Sequence, residues 1–285
     1  MVLHIRGAPV IPGPVRTPGE LWDSRRHRIP GRFRARGGLV IPLALLGCLF
    51  SPLAAHAQSA REIIDRVDQL MRGESSIARI TMDIQTENWD RSLTLSAWSL
   101  GTEHSLIRVE SPQKEAGTAT LRADQEVWNY LPRVDRTLKL PSSMMAGSWM
   151  GSHFTNDDLV KESRLVDDYG IEIEFDGTRD GVDVWEFLLV PLPEAPVVWG
   201  KIRYQVSKEG LLPTWTRYYD ESDELIRTMT FSENRMMGSR LVPTVMTIRP
   251  ADKPEESTVV RYHELEFDVD LDEDYFSLRN LRSGR

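Results

Sequence analysis

REIIDRVDQLMRGESSIARITMDIQ, residues 61–85, changes its hydrophobic period halfway along. Up to Arg72 the apolar residues Ile63, Ile64, Val67, Leu70 and Met71 fall on one helical stripe, and Arg61, Asp65, Asp68 and Arg72 form the opposite, solvated face. Ser59 and Glu62 make an S-x-x-E capping pair at its start, and Gly73 ends it as a C′ residue. After Gly73 the period is two: Ile80, Met82 and Ile84 alternate with polar residues, the signature of a half-buried strand. The same alternation recurs at Leu93, Leu95 and Ala97, with a phase slip near Trp98 that reads as a bulge. Strands are expected at 105–110, 117–122, 126–131, 136–140, 171–175, 182–191, 201–207, 213–219, 225–232, 241–249 and 258–269. Turn clusters separate them at 208–210, 220–223, 233–238 and 251–256. Strands at this spacing, with no βαβ rhythm, describe one large antiparallel sheet that is curled or closed.

One stretch breaks the rhythm. Residues 141–164, PSSMMAGSWMGSHFTNDDLVKESR, hold Met144, Met145, Trp149, Met150 and Phe154 between glycines, and Thr155 is placed to cap a short helix at Asn156. A wide apolar sheet face must be covered by a second sheet, by the sheet itself, by a helix or by a ligand. The opening helix can lie across the mouth of a curled sheet, and the Met/Trp segment reads as a lid. Methionine suits an interior that must fit several apolar shapes, although the same residues also serve as ordinary core fillers. The expected fold is therefore mainly β: a curved, incompletely closed antiparallel barrel with an N-terminal helix and short lid helices over an apolar cavity.

Residues 1–57 differ from the rest. Eight of the 35 basic and two of the 43 acidic residues lie there, which leaves 27 against 41 in residues 58–285, a net charge of −14. A broad basic face for nucleic acid or an anionic membrane is not expected on such a chain. Arginines at 25–36, an apolar run over 38–53 and the small residues of Ala55-His56-Ala57 read as a secretory leader, cut between Ala57 and Gln58. The run is too short and too broken by Pro42 and Pro52 for a spanning helix. Leu45-Leu46-Gly47-Cys48 offers a second reading, a lipobox that would lipidate Cys48, and Ser24-Arg25-Arg26 a weak twin-arginine signal. Cys48 is the one cysteine, so cleavage after Ala57 leaves a domain without thiol chemistry or disulfides.

The strings VDQLMRG (67–73), VWNYLPRVDRTLKLP (127–141), MGSHFTNDDL (150–159), YYDESDELIRTMTFSENRMMGSRLVPTVMTI (218–248) and DLDEDYFSLRNL (270–281) occur in an order that resembles the outer membrane lipoprotein-sorting protein family, the LolA-like group. The resemblance covers nearly all of residues 58–285. It implies an incomplete curved barrel, a periplasmic location and a monomer. It also implies non-covalent carriage of lipoprotein acyl chains or membrane lipid between an inner-membrane transporter of the ABC or RND type and an outer-membrane acceptor. An adaptor or sensor attached to an envelope transporter is the alternative. One departure stands out: Gly151-Ser152-His153-Phe154 replaces an expected Gly-Ser-Asp-Phe.

Carriage needs no bond-making. Burial gains about 0.8 kcal/mol per CH₂, so a 16-carbon chain gains on the order of 12 kcal/mol before the cost of immobilising it. Trp128, Tyr130, Met144, Met145, Trp149, Met150 and Phe154 are the expected lining or gating groups, and Ile80, Met82, Leu93 and Leu95 the sheet-face candidates. No catalytic residue, metal or cofactor is expected. Neither H-E-x-x-H nor G-x-S-x-G occurs. His153 with Asp157 and Asp158 lacks a third metal ligand. Asp268, Asp270, Asp272 and Asp274 imitate a calcium loop, but Glu273 and Arg279 stand where its glycine and glutamate belong. Val269 and Leu271 alternate there as in a strand, so the aspartates read as an acidic sheet edge.

Overall fold

Every strand is antiparallel to its neighbours, and the order in the sheet explains the shape. The computed structural model describes residues 52–283 apart from 125, 159–164 and 196, with side chains from Ala60 onward; residues 1–51, with Cys48 and most of the leader, lie outside the described residues, and Ala57 and Gln58 are described in backbone only. After helix α1 (Pro52–Arg72) come β1 (Ser75–Gln85), β2 (Asp90–Leu100), β3 (His104–Ser111), β4 (Ala119–Ala123), β5 (Glu126–Leu131) and β6 (Arg136–Lys139). A helical turn α2 (Leu165–Asp168) precedes β7 (Tyr169–Arg179), β8 (Val182–Pro191), β9 (Lys201–Ser207), β10 (Leu212–Tyr219), β11 (Leu225–Met237), β12 (Arg240–Pro250) and β13 (Ser257–Phe267), and α3 (Leu278–Ser283) follows. The sheet runs β6-β5-β4-β3-β2-β1-β13-β12-β11-β10-β9-β8-β7. Two hairpin meanders are thus joined through β1 and β13, and the free edges β6 and β7 are consecutive in the chain. The rhythm-breaking segment is the connection from one edge of the open sheet to the other.

The inner face is built by register. Ile84, Thr258, Ile248, Met229, Thr216, Tyr204, Phe187 and Ile173 form one continuous cross-strand row over eight strands. Six of the eight are large and apolar, so the row closes one contiguous core. Helix α1 covers this face with Ala60, Ile64 and Val67, all buried. It is clamped at two points. At mid-length, Arg61 donates to the Val166 carbonyl. At the end, Arg240 donates to the Gln69 carbonyl (2.8 Å) and to Asp268 (2.6 Å), while Asp268 accepts the Glu74 amide (3.0 Å). Arg240 also reaches the Leu70 carbonyl (3.3 Å), one of those that a helix leaves unpaired at its C-terminus.

Four expectations are corrected. Helix α1 begins at Pro52, so Ser59 lies inside it; alanines at 54, 55, 57 and 60 carry the helix back through the capping position. The bulge expected near Trp98 sits between Thr94 and Leu95, and Trp98 is in register with Ile77 and Leu106. What reads as a phase slip is burial on both faces. The turn expected at 233–238 belongs mostly to β11, which runs to Met237, with Glu233 at φ 55° where the pairing skips. Val269 and Leu271 are not in a strand: β13 ends at Phe267 in the middle of the sheet, and the aspartates belong to a strap over its outer face. There Leu271, Tyr275, Phe276, Leu278 and Leu281 cover Leu106, Ala119 and Leu121, forming a second apolar cluster.

Candidate functional site

A cavity of about 330 Å³ lies between the inner face, α1 and the segment joining the edges. That is at the low end of the range for small-molecule sites. Its apolar wall includes Ile80, Met82, Leu95, Met229, Phe231 and Met246 from the sheet, with Ile64 and Met71 from α1. Phe231, Tyr262 and Leu265 point inward yet remain partly accessible, so the cavity opens to solvent.

The lid is a tight hairpin. The Trp149 amide donates to the Phe154 carbonyl (2.8 Å) and the Asn156 amide to the Gly147 carbonyl (2.9 Å), with Met150 (φ 53°) and Gly151 (φ 76°) turning the chain. Positive φ at Gly151 is what glycine permits at no steric cost. Trp149 and Phe154, paired across this hairpin, point into the interior and are both buried and part of the cavity wall. Trp149 Nε1 donates to Thr120 Oγ1 (3.0 Å), so the buried indole N–H is satisfied. Thr155 and Asp158 form a reciprocal capping pair: the Asp158 amide donates to Thr155 Oγ1 (3.1 Å) and the Thr155 amide to Asp158 Oδ2 (2.6 Å). The short helix expected over 156–159 is a turn at Asn156 and Asp157, with Asp158 helical, and residues 159–164 lie outside the described residues.

Two buried polar clasps hold the lid. Arg227 of β11 grips Asp158 with both guanidinium nitrogens (2.7 and 2.5 Å) and donates to the His153 carbonyl (2.9 Å). Its charge lies 4.5 Å from the Trp199 ring centre and 4.2 Å from that of Tyr218. The two side chains are only 4% and 8% exposed, so the pair is worth far more than a surface ion pair when one partner is lost. His153 makes the second clasp, with its ring nitrogens at Thr258 Oγ1 (2.8 Å) and Glu256 Oε2 (3.2 Å). The Glu256 carboxyl is held below its ordinary range by the Glu87 amide first and by His153 next. The histidine that replaces the expected aspartate is thus bound to an acid on the facing loop.

Of the expected residues, Ile80, Met82, Leu95, Trp149 and Phe154 come together on the cavity wall. Leu93 is buried in the same core, off the wall, and Met150 packs against that core partly buried. Met144 is 51% exposed and Met145 half-buried; both serve the lid through their carbonyls, which accept the amides of Gly147 (3.0 Å) and Asp157 (2.9 Å). Trp128 and Tyr130 pack instead into the second cluster on the outer face, against the C-terminal strap. Residues absent from the expectation are Asp68 and Arg72, which border the cavity rather than standing on a solvated helix face, and Arg122, Arg227, Trp199 and Tyr218. Arg227 carries no signal in the pattern, because its partner is 69 residues away.

Among the described residues no three His, Cys, Asp or Glu side chains gather as a metal site, and no helix is long and apolar enough to cross a membrane. No curated protein matches the chain. Three solved structures share its fold. A domain named as an outer membrane lipoprotein-sorting protein, from Vibrio parahaemolyticus, is 23% identical with a TM-score of 0.71, over 79% of this chain and 99% of that one. A DUF1329 family protein from Desulfovibrio piger is 23% identical with a TM-score of 0.72 over the same shares. A LolA superfamily protein from Nitrosomonas europaea is 19% identical with a TM-score of 0.67, over 78% and 98%. A family model described as "Uncharacterized protein" matches residues 101–283. The chain belongs to that family and has the fold of the LolA superfamily.

Proposed function

We propose that this protein is a periplasmic carrier that takes the acyl chains of lipoproteins or lipids into its cavity, on the way to the outer membrane, and releases them without chemistry. The observation that carries the reading is the lid: Trp149 and Phe154 belong at once to the lid, the core and the cavity wall. An acyl chain longer than the existing space must displace these side chains. Apolar burial at about 0.8 kcal/mol per CH₂ drives entry, and restoring the lid contacts offsets part of it, which keeps release possible. The names of the structural relatives point to lipoprotein sorting, and the carrier role is extended to this chain on that likeness together with the cavity. A transporter of the ABC or RND type would load the carrier, and an acceptor at the outer membrane would unload it.

Cleavage between Ala57 and Gln58 fits the same reading. It would leave Ser59 and Glu62 to cap a helix that starts where its buried face, Ala60, Ile64 and Val67, begins. Native mass spectrometry of protein recovered from its own envelope compartment tests both parts. The expected result is a mature chain starting at Gln58 with acyl lipid bound, and loss of that lipid when a fluorescent acyl probe is added. A chain that carries no lipid and takes up no probe, even with Trp149→Ala, would overturn the carrier reading.

A further inference from the structure

We infer that the cavity selects amphiphiles whose acyl tail ends in an anionic head, a carboxylate or a phosphate, and that Arg72 and Arg122 receive this head at the mouth. The inference rests on the carrier reading for the tail and adds the head. On strands β1 to β4 the inner face is apolar in its first rows but for Thr120, whose hydroxyl is taken by Trp149: Ile80, Leu95 and Val109 form one row, and Ala78, Ala97, Ile107 and Thr120 the next. The following row is Ser76, Ser99, Ser105 and Arg122, all on the cavity wall. Three hydroxyls in register, ending in a guanidinium, are an expensive choice for a surface whose only task is to hold hydrocarbon.

The two arginines differ in how they are held. Arg122 is nearly fully buried and fixed by the Thr102 and Asp124 carbonyls and the Glu103 carboxylate (3.2 Å), which sets its charge in place. Arg72 reaches the same mouth from the last turn of α1 and pairs with Asp68 through one terminal nitrogen. Its Nε is buried with no acceptor among the described residues. An oxyanion seated over the serine row would supply that acceptor and accept from the hydroxyls. Ser76 and Ser99 share one hydrogen bond (2.7 Å), so one of the two hydroxyls keeps its hydrogen for the anion. Of the acidic wall residues, Asp157 and Asp158 belong to the lid, and Asp68, the partner of Arg72, has its carboxyl pushed up by burial first, so an anionic head meets Arg72 and the serine row at the mouth and an apolar tail lies beyond it.

The test uses delipidated protein at pH 8 and three probes with the same 16-carbon tail: palmitate, palmitoyl lysophosphatidylglycerol and monopalmitoyl glycerol. Both anions, or one of them, should bind at least tenfold more tightly than the neutral glyceride, and which one does so separates carboxylate from phosphodiester recognition. Arg72→Met should cut the preference below threefold, with binding of the neutral glyceride measured alongside as the report on the cavity itself. Ser99→Asp, a second variant that sets a carboxylate into the row, should reverse the preference. Equal binding of all three probes, or an undiminished preference in both variants, overturns the inference and leaves the carrier reading standing. Failure of every probe to bind overturns the carrier reading itself.

Discussion

Replacing Arg227 with methionine should open the lid before it unfolds the sheet. Methionine keeps most of the apolar stem between Trp199 and Tyr218 but removes the charge that faces Asp158. Asp158 then stays buried with the Thr155 amide as its hydrogen-bond donor, and the His153 carbonyl loses the donor it had in Arg227. Removing one partner of a buried ion pair costs about 3–5 kcal/mol. For a domain of this size, about 2–4 °C of melting temperature per kcal/mol gives a fall of roughly 6–20 °C if the loss is global. The clasp joins only the lid hairpin to β11, so the cost should appear first as local opening. Hydrogen exchange at Trp149 and Asn156, whose amides close the hairpin, should then accelerate by roughly a hundredfold to several thousandfold, at one decade per 1.4 kcal/mol. Core amides of β1 and β13 should change far less. Arg227→Met combined with Asp158→Asn removes both charges and keeps an acceptor for Thr155, so it should recover most of the loss. A single variant costing under about 1 kcal/mol, or a double variant no better than the single, would refute the view that this pair clasps the lid.

Leu281→Ala should destabilise by about 2–5 kcal/mol, since it empties a fully buried position under the strap. That change, like Trp128→Ala in the same cluster, should leave acyl-probe affinity within threefold, measured by fluorescence titration; a larger loss would mean that the two apolar clusters are coupled. Acid should weaken the fold at two named places. Glu256, held low by the Glu87 amide and His153, and Asp268, held low by the Glu74 amide and Arg240, both bind protons less readily folded than unfolded. Their stabilisation is complete above the ordinary carboxylate values of 4.5 and 3.8, and is lost as pH falls through their depressed folded values. Glu256→Gln should therefore flatten the acid limb of a urea-midpoint profile, and an unchanged limb would count against the His153 clasp.

The middle segment shows how far pattern reading reaches. Trp149 and Phe154 were legible as interior groups, because large apolar residues among glycines and serines in a sheet protein must be buried somewhere. Met144 and Met145 look the same in the string, yet their side chains stay at or near the surface and their carbonyls hold the hairpin. Trp128 and Tyr130 look like wall residues because they alternate in β5, but alternation gives a shared face and not its cover. The strap of residues 268–283 settles which face they fill, and nothing near β5 announces it. Asp68 and Arg72 read as solvated for the complementary reason: a helical wheel separates the buried stripe from the rest, without showing that a cavity edge runs along its border.

By itself, the sequence determined the opening helix, the run of antiparallel strands, the inward set on most of them and the position of the lid. These follow from local period, and local period is set by backbone geometry. Only the tertiary structure decided that β1 pairs with β13 across more than 170 residues, that the edges β6 and β7 are bridged by the lid, and that Arg227 reaches Asp158. It also decided that a second apolar cluster grows on the outside of the sheet. The physical reason is common to all four. Pairing and charge burial are chosen by the lowest free energy of the whole chain, and residues far apart in sequence carry no mark of each other until the fold brings them within hydrogen-bonding distance.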